Sequence, residues 1–154
     1  MDDITLEDLR KYKRLRQSIR TLEREIMAVY VESPGPKENI AGKSSVRTPS
    51  NPTADKARRA GQLRDELEKK LADLRRETER IERYTLQIAD VEIGAMIRAH
   101  YIRGFTWEQT ALQLYGYPDR WYCHKRVRRY FEKLEEEQKH DYEETDTRRG
   151  VPGV

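Results

Sequence analysis

Residues 100–134 read HYIRGFTWEQTALQLYGYPDRWYCHKRVRRYFEKL and contain the signals of two short helices. Gly104 marks the end of a preceding helix, because glycine readily adopts the left-handed conformation found just after helix C-termini. Thr106 and Gln109 then form a capping-box pair, in which the hydroxyl and the amide each satisfy a backbone N–H group. We therefore predict a helix of about nine residues that begins at this pair.

The second helix of this region follows a break in the chain. Gly116 permits a turn, and Pro118 cannot continue the preceding helix. Asp119 is then a favourable N-cap for a helix that we expect to end near Glu137. A short helix, a glycine-containing turn and a strongly basic helix are typical of a helix-turn-helix, whose second helix enters the DNA major groove. We predict that residues 91–137 form such a module.

The predicted basic helix has two chemically different faces. At about 100° per residue, its apolar side chains fall within a narrow arc, which we expect to be buried, and cations lie on the opposite side. A major groove admits one helix, and the phosphates at its rims attract cations. The apolar row is Cys123, Val127, Tyr130 and Leu134; the opposite face has Trp121, Lys125 and Arg128, flanked by Tyr122, His124 and Arg129.

Trp121, near the start of this helix, has two interpretations. Its indole either stacks on a sugar or contacts a thymine methyl group, or it packs against Tyr115 or Tyr117.

A short apolar helix before Gly104 supplies the rest of the expected core. The predicted core residues are Ile93, Met96, Ile97, Tyr101, Phe105, Trp107, Ala111 and Leu114.

Two longer helices are predicted before the module, at residues 5–31 and 53–90. Their apolar residues alternate at spacings of three and four, a heptad pattern that leaves one narrow stripe on a charged helix. Such a stripe needs a partner, which either an antiparallel hairpin of the two helices or a homodimeric coiled coil provides. Residues 32–52, rich in Pro, Gly and Ser, are expected to form a flexible loop. The stripes are Leu15, Ile19, Leu22, Ile26 and Val29, and Leu67, Leu71, Leu74, Thr78, Ile81, Thr85 and Ile88.

Composition narrows the functional classes. The chain has 154 residues, 38% of them charged and 36% hydrophobic, with a formal net charge of +3. No segment approaches the roughly 20 apolar residues of a membrane-spanning helix, and the acidic N-terminus is unlike a signal peptide. Residues 91–134 have eight Lys or Arg against four Asp or Glu, whereas residues 135–154 have three against seven. The basic module therefore suggests a nucleic-acid partner, and the tail at 138–154 is expected to be acidic and disordered.

The residue types that enzymes use are not arranged for catalysis. Cys123 is the only cysteine, so it cannot form an internal disulfide, and we expect it to be a small buried apolar residue. His100 and His140 belong to no group of catalytic or metal-binding residues, and no glycine-rich phosphate loop is present. We expect no enzymatic activity, no cofactor and no metal.

Residues 100–111, HYIRGFTWEQTA, resemble the helix-turn-helix of sigma-factor region four. The whole chain is similar to phage transcriptional activators of the RinA and ArpU type, in which a coiled N-terminal half, a polar loop and a sigma-like module follow in this order. Residues 22–27, LEREIM, and 49–53, PSNPT, look like the motifs that flank the loop in that family. The resemblance implies an all-α fold with a helical hairpin or coiled coil before a sigma-like module.

The same resemblance implies a function and a set of contacts. It implies a DNA-binding activator of late phage genes that acts with host RNA polymerase in the bacterial cytoplasm, with a homodimer through the coiled coil as one arrangement. Thr106 and Trp107 would position the phosphate backbone. The base-contacting positions would be Arg120, Trp121, Tyr122, His124, Lys125 and Arg128, with Arg129 beside them.

Two other functions fit parts of the same pattern. A DNA-packaging recognition subunit, similar to a small terminase, would also combine a helix-turn-helix with coiled segments, but it would assemble into a ring. A helical adaptor without DNA binding would use the acidic residues between Glu135 and Asp146 to bind another protein. Those acidic residues would alternatively compete with DNA for the basic helix.

Overall fold

The computed structural model describes residues 3–31 and 52–150, and the regular structure in these ranges is helical. The predicted all-α class is therefore confirmed. The chain divides into two compact units, Tyr12–Glu77 and a unit of Met1–Lys11 with Thr78–Val154. The helices are α1 (Leu6–Val31), α2 (Pro52–Gln87), α3 (Val91–Ile97), α4 (Trp107–Tyr115) and α5 (Tyr122–Arg149), and a π-helical turn at Arg98–Ile102 follows α3.

The unit Tyr12–Glu77 contains most of the two helices that carry heptad stripes. Ile19 is buried, and the other stripe residues of α1 are half-buried, so the stripe is the least exposed side of the helix. The stripe of α2 is more open here, since Leu71 is 41% exposed. The Arg64 guanidinium of α2 donates to the Tyr30 hydroxyl of α1 and lies 5.4 Å from its ring centroid. The two helices thus contact each other in this unit, while hairpin and homodimer both stay predictions.

The predicted loop at 32–52 lies outside the described residues except for Pro52, which is the first residue of α2.

In the other unit, α1 begins with a capping arrangement. The Asp8 backbone N–H donates to Thr5 Oγ1 at 3.2 Å, and the Thr5 backbone N–H donates to Asp8 Oδ2 at 3.0 Å. This reciprocal pair satisfies two backbone groups that a helix start leaves without intrahelical partners.

The end of α2 packs closely against α3. α2 ends at Gln87, three residues before the predicted position, and Asp90 then caps α3 through its side chain. A Cβ atom on Gly94 would lie 2.7 Å from the Thr85 carbonyl oxygen, so this approach requires glycine. The Arg98 guanidinium donates to Thr85 Oγ1 at 3.0 Å. The buried threonine of the heptad stripe therefore has a polar partner, as a buried hydroxyl requires.

The predicted core of the module is confirmed for most positions. Leu114 is the exception: it is 37% exposed, because it lies in the last turn of α4. Thr110 is buried instead, and its hydroxyl donates to the Thr106 carbonyl oxygen at 2.9 Å, which removes the cost of burying it. Ile93, Met96, Ile97, Tyr101 and Ala111 are buried, and Phe105 and Trp107 are half-buried.

The last helix is longer than predicted. We expected it to end near Glu137 and to give way to a disordered tail at 138–154, but α5 continues to Arg149. No glycine or proline interrupts the chain between Arg120 and Arg149, and Gly150 is the first residue that favours a stop. The prediction is therefore wrong for residues 138–149, and residues 151–154 lie outside the described part of the chain.

Candidate nucleic-acid interface

The start of α4 has the predicted capping box. The Gln109 backbone N–H donates to Thr106 Oγ1 at 3.1 Å, and the Thr106 backbone N–H donates to Gln109 Oε1 at 3.0 Å. Gly104, just before it, has a φ of 78°, as predicted from its position after the preceding helix. Thr106 is exposed, whereas Trp107 is half-buried at the first position of α4.

The turn between α4 and α5 depends on Gly116 and Asp119. Gly116 has a φ of 80°, in the left-handed region that favours glycine, and its N–H donates to the Leu112 carbonyl oxygen at 2.9 Å. Asp119 Oδ1 accepts from the backbone N–H groups of Trp121 at 2.9 Å and Tyr122 at 3.1 Å. Asp119 thus binds backbone N–H groups at the start of α5 as expected of a capping residue, but the N-cap itself is Trp121, two residues later than predicted, and α5 begins at Tyr122.

The buried side of α5 holds it against the module. Cys123 and Val127 are fully buried, as predicted, and burial raises the pKa of the Cys123 thiol above its ordinary value. Tyr130 and Leu134 are only half-buried, and the missed residue Phe131 is buried instead. Phe131 lines a cavity of about 410 Å³ together with residues from the N-terminal segment and the end of α2. The heptad pattern did not indicate that these segments would reach α5.

The predicted basic face is on the outside of the module. Lys125 and Arg128 are exposed, and Trp121 is 58% exposed on the same side of the helix. Arg128 Nε donates to Glu132 Oε1 at 3.0 Å, a pair in which both side chains are more than half exposed. Such a surface ion pair is weak, so it leaves Arg128 able to exchange partners. We call Trp121, Lys125 and Arg128 the exposed row.

A set of aromatic rings connects the start of α4 to the start of α5. The His100 ring stacks on Trp107 with a centroid distance of 3.7 Å, and His100 Nδ1 lies 2.7 Å from the Phe105 carbonyl oxygen. His100 therefore packs against α4, a structural role that the sequence analysis did not predict. Trp107 also contacts His124, which is half-buried, at 5.3 Å between centroids. Side-chain packing therefore connects the two regions that are predicted to contact DNA, the start of α4 and the start of α5.

The remaining predicted contact residues differ in their surroundings. Arg120 and Arg129 are exposed, and the Arg120 guanidinium lies 5.5 Å from the centroid of the Trp121 ring. Tyr122 is turned toward Tyr115, with ring centroids 5.3 Å apart in an edge-to-face arrangement. Tyr122 therefore belongs to the packing between α4 and α5 more than to the exposed row.

Arg126 is an important residue that the sequence analysis missed. Its guanidinium donates to Asp90 Oδ2 at 2.9 Å and to the Glu92 carboxylate, and it lies 3.1 Å from the Tyr115 hydroxyl. Its hydrogen bond, followed by that of the Tyr115 hydroxyl, lowers the pKa of Glu92. This cation therefore ties α5 to the start of α3 and to α4. The sequence signal for this role was the position of Arg126 at the edge of the buried row of the helix.

The charge of α5 changes sign along its length. Residues 120–133 contain six Arg or Lys and one acidic residue, whereas residues 135–149 contain seven acidic residues and three cations. The exposed row lies within the basic part. This arrangement provides an exposed cationic helix surface with an apolar indole at its N-terminal end, supported from behind by buried side chains.

The chain matches no protein-family model, no curated protein and no solved structure. Among residues 3–31 and 52–150, no group of three or more His, Cys, Asp or Glu side chains is placed to hold a metal ion. The helices in these same ranges include none that is both long and apolar enough to cross a membrane.

Proposed function

We propose that the protein is a sequence-specific, double-stranded-DNA-binding transcriptional regulator, with α5 as its recognition helix. The observation that carries the proposal is the exposed row, directly opposite the buried Cys123 and Val127. A helix with this arrangement can lie in a major groove while its other side stays packed in the protein.

The surroundings of the exposed row support the same function. Arg128 is suited to bidentate hydrogen bonds with guanine, whereas Lys125 is suited to phosphate. Thr106 and the N-terminus of α4 lie at the other end of the aromatic contact through Trp107 and His124. First-helix residues in this position commonly contact the DNA backbone.

The resemblance to RinA and ArpU type activators suggests the biological process in which the protein acts. We propose activation of late phage or prophage genes together with host RNA polymerase, and dimerisation through the stripes of α1 and α2. A DNA-packaging subunit and a helical adaptor remain the competing functions. The acidic second part of α5 is exposed on all sides, which favours the adaptor over the packaging ring as the second candidate.

The test is a selection of bound duplexes from a random-sequence pool by the full-length protein, followed by binding measurements at several salt concentrations. We expect enrichment of a defined sequence and an affinity that falls steeply with salt, because neutralised phosphates release counterions. Enriched inverted repeats would indicate a dimer, since half-site symmetry mirrors protein symmetry. A pool without enrichment would contradict the proposal and favour the adaptor, and a large ring in solution would favour the packaging subunit.

A further inference from the structure

Trp121 is unusually exposed to solvent for a large apolar side chain. Trp121 is the N-cap residue of α5 and is 58% exposed, and the helical period places it on the side of Lys125 and Arg128. Recognition helices commonly contact base edges with their N-terminal residues. The most prominent apolar group of the proposed interface therefore lies where contact with bases is expected.

The Trp121 ring lies beside an exposed arginine and a half-buried histidine. The Arg120 guanidinium lies 5.5 Å from its ring centroid, and the His124 ring lies 6.4 Å away at a tilt of 50°. The two tyrosines that the sequence offered as packing partners, Tyr115 and Tyr117, lie next to each other, with ring centroids 6.5 Å apart and tilted by 41°. Of the two interpretations of Trp121, the structure favours contact with a ligand.

The chemistry of the major groove decides what an apolar ring can recognise there. Guanine, adenine and cytosine present hydrogen-bond donors and acceptors, and thymine alone adds an apolar group, its C5 methyl. An indole face gains from covering a methyl group and loses by covering a polar edge that it cannot satisfy. An apolar ring at this position therefore distinguishes thymine from the other three bases by its methyl group.

We propose that Trp121 is a specificity-determining residue that contacts the C5 methyl group of thymine in the bound duplex. The inference rests on the proposed function and deepens it, since it names the chemical group that one residue of the exposed row selects. Arg120 and His124 would restrict the ring to this orientation before DNA binds, which reduces the entropy lost on binding.

The experiment starts from a duplex enriched by the full-length protein from a random pool made with thymine. Each invariant thymine is replaced singly by uracil, which removes only the methyl group. We expect about fourfold weaker binding at one or two positions, the fold-change that corresponds to exposing one methyl-sized group. Replacing a cytosine by 5-methylcytosine at positions outside the enriched sequence should have no such effect.

Three variants connect the methyl effect to Trp121. Trp121→Ala should bind the thymine and uracil duplexes equally, whereas Trp121→Phe, which keeps an apolar ring, should keep part of the preference. Tyr142→Ala is the matched control, because Tyr142 is an exposed aromatic residue of the same helix, in its acidic part. This control should discriminate as strongly as the parent protein, and circular dichroism should show that all three variants stay folded.

The outcomes separate this inference from the proposed function. Enrichment of a sequence that is bound equally well with uracil would overturn the role of Trp121 and leave DNA recognition intact. A methyl preference that persists in Trp121→Ala would assign the contact to another residue. If Trp121→Ala changed no duplex affinity but abolished binding to RNA polymerase, the indole would be a protein contact. A pool without enrichment would overturn both proposals.

Discussion

The two parts of α5 share one helix and differ in almost every other respect. Residues 122–134 have a buried row on one side and cations on the other, whereas residues 135–148 are exposed on all sides and half of them are acidic. A helix therefore needs only residues with sufficient helix propensity and no glycine or proline in its interior. A binding surface needs more, because only packing on the opposite side gives the exposed side chains a defined orientation.

The largest expected difference between the two parts concerns buried charge. Val127→Asp should destabilise the protein by about 3 kcal/mol or more, because the carboxylate would lie unpaired at a position that is now 1% exposed. Tyr142→Asp places the same carboxylate in the other part, where the side chain is 81% exposed, and should change stability by no more than about 0.5 kcal/mol. Urea unfolding followed by circular dichroism measures both.

Equal stabilities of these two variants would mean that α5 is not anchored through Val127. The proposed interface would then lack the support that fixes its orientation, and the comparison between the two parts of α5 would fail. Val127→Ile serves as the control for shape, since it adds a single methylene without adding charge.

Local signals in the sequence predicted much of the fold around α4. Thr106 with Gln109, and Gly116 after Tyr115, each determine a helix end through hydrogen bonds or dihedral angles within a few residues. The helical period likewise predicted that Cys123 and Val127 are buried. These features depend on neighbours in the chain, so a single sequence contains the information.

Contacts between distant segments were not predictable in the same way. Phe131 is buried beside segments far away in the chain, and Thr85 owes its place in an apolar stripe to Gly94 and Arg98. Arg126 cannot be told from the other cations of the basic helix by sequence, because its partners Glu92 and Asp90 lie 34 and 36 residues away in the chain. The end of α5 was missed for another reason: an acidic composition was interpreted as disorder although no residue stops the helix.

The second prediction compares lysines and arginines of the two parts as DNA contacts. Arg128→Ala should weaken binding to the enriched duplex by about 1–3 kcal/mol and relax the preference at one base pair. Lys125→Ala should weaken binding to all duplexes alike and reduce the slope of log affinity against log salt by about one. Lys139→Ala, in the acidic part, should change neither quantity. Fluorescence anisotropy over a salt series measures all three variants.

One outcome of these substitutions would directly contradict the proposed interface. If Lys125→Ala and Arg128→Ala bound every duplex as tightly as the parent protein, α5 would not be the recognition helix. An equal loss for Lys139→Ala would indicate a general effect of charge in place of contacts with the exposed row.

The third prediction concerns the ion pairs that attach only the basic part of α5 to the module. The Arg126 hydrogen bond lowers the pKa of Glu92 below its ordinary value of 4.5, so the charged carboxylate stabilises the folded state. That stabilisation is fully present above pH 4.5 and is lost as the pH falls through the lowered pKa. The parent protein should therefore be more stable than Glu92→Gln at pH 7, and the difference should shrink in acid.

Urea unfolding of both proteins at pH 7 and pH 3 measures this difference. The Arg126→Gln background is the matched control, because Glu92→Gln should lose most of its pH-dependent effect there, with only the hydrogen bond from Tyr115 left to lower the pKa of Glu92. A difference between the parent protein and Glu92→Gln that grows in acid would contradict the assigned ion pair.

The smallest expected effect follows from removing most of the acidic part. A chain that ends after Gln138 should bind the enriched duplex within about twofold of the parent at 0.1 M salt. The nearest acidic residue removed is Asp141, which along a helix is about 24 Å from Lys125, well beyond the Debye length of about 10 Å at that salt concentration. A helix also cannot fold back to cover its own basic face. A tenfold gain in affinity would therefore require α5 to break near this point in the free protein, and hydrogen exchange of the DNA-free protein would then show a local opening within residues 135–149.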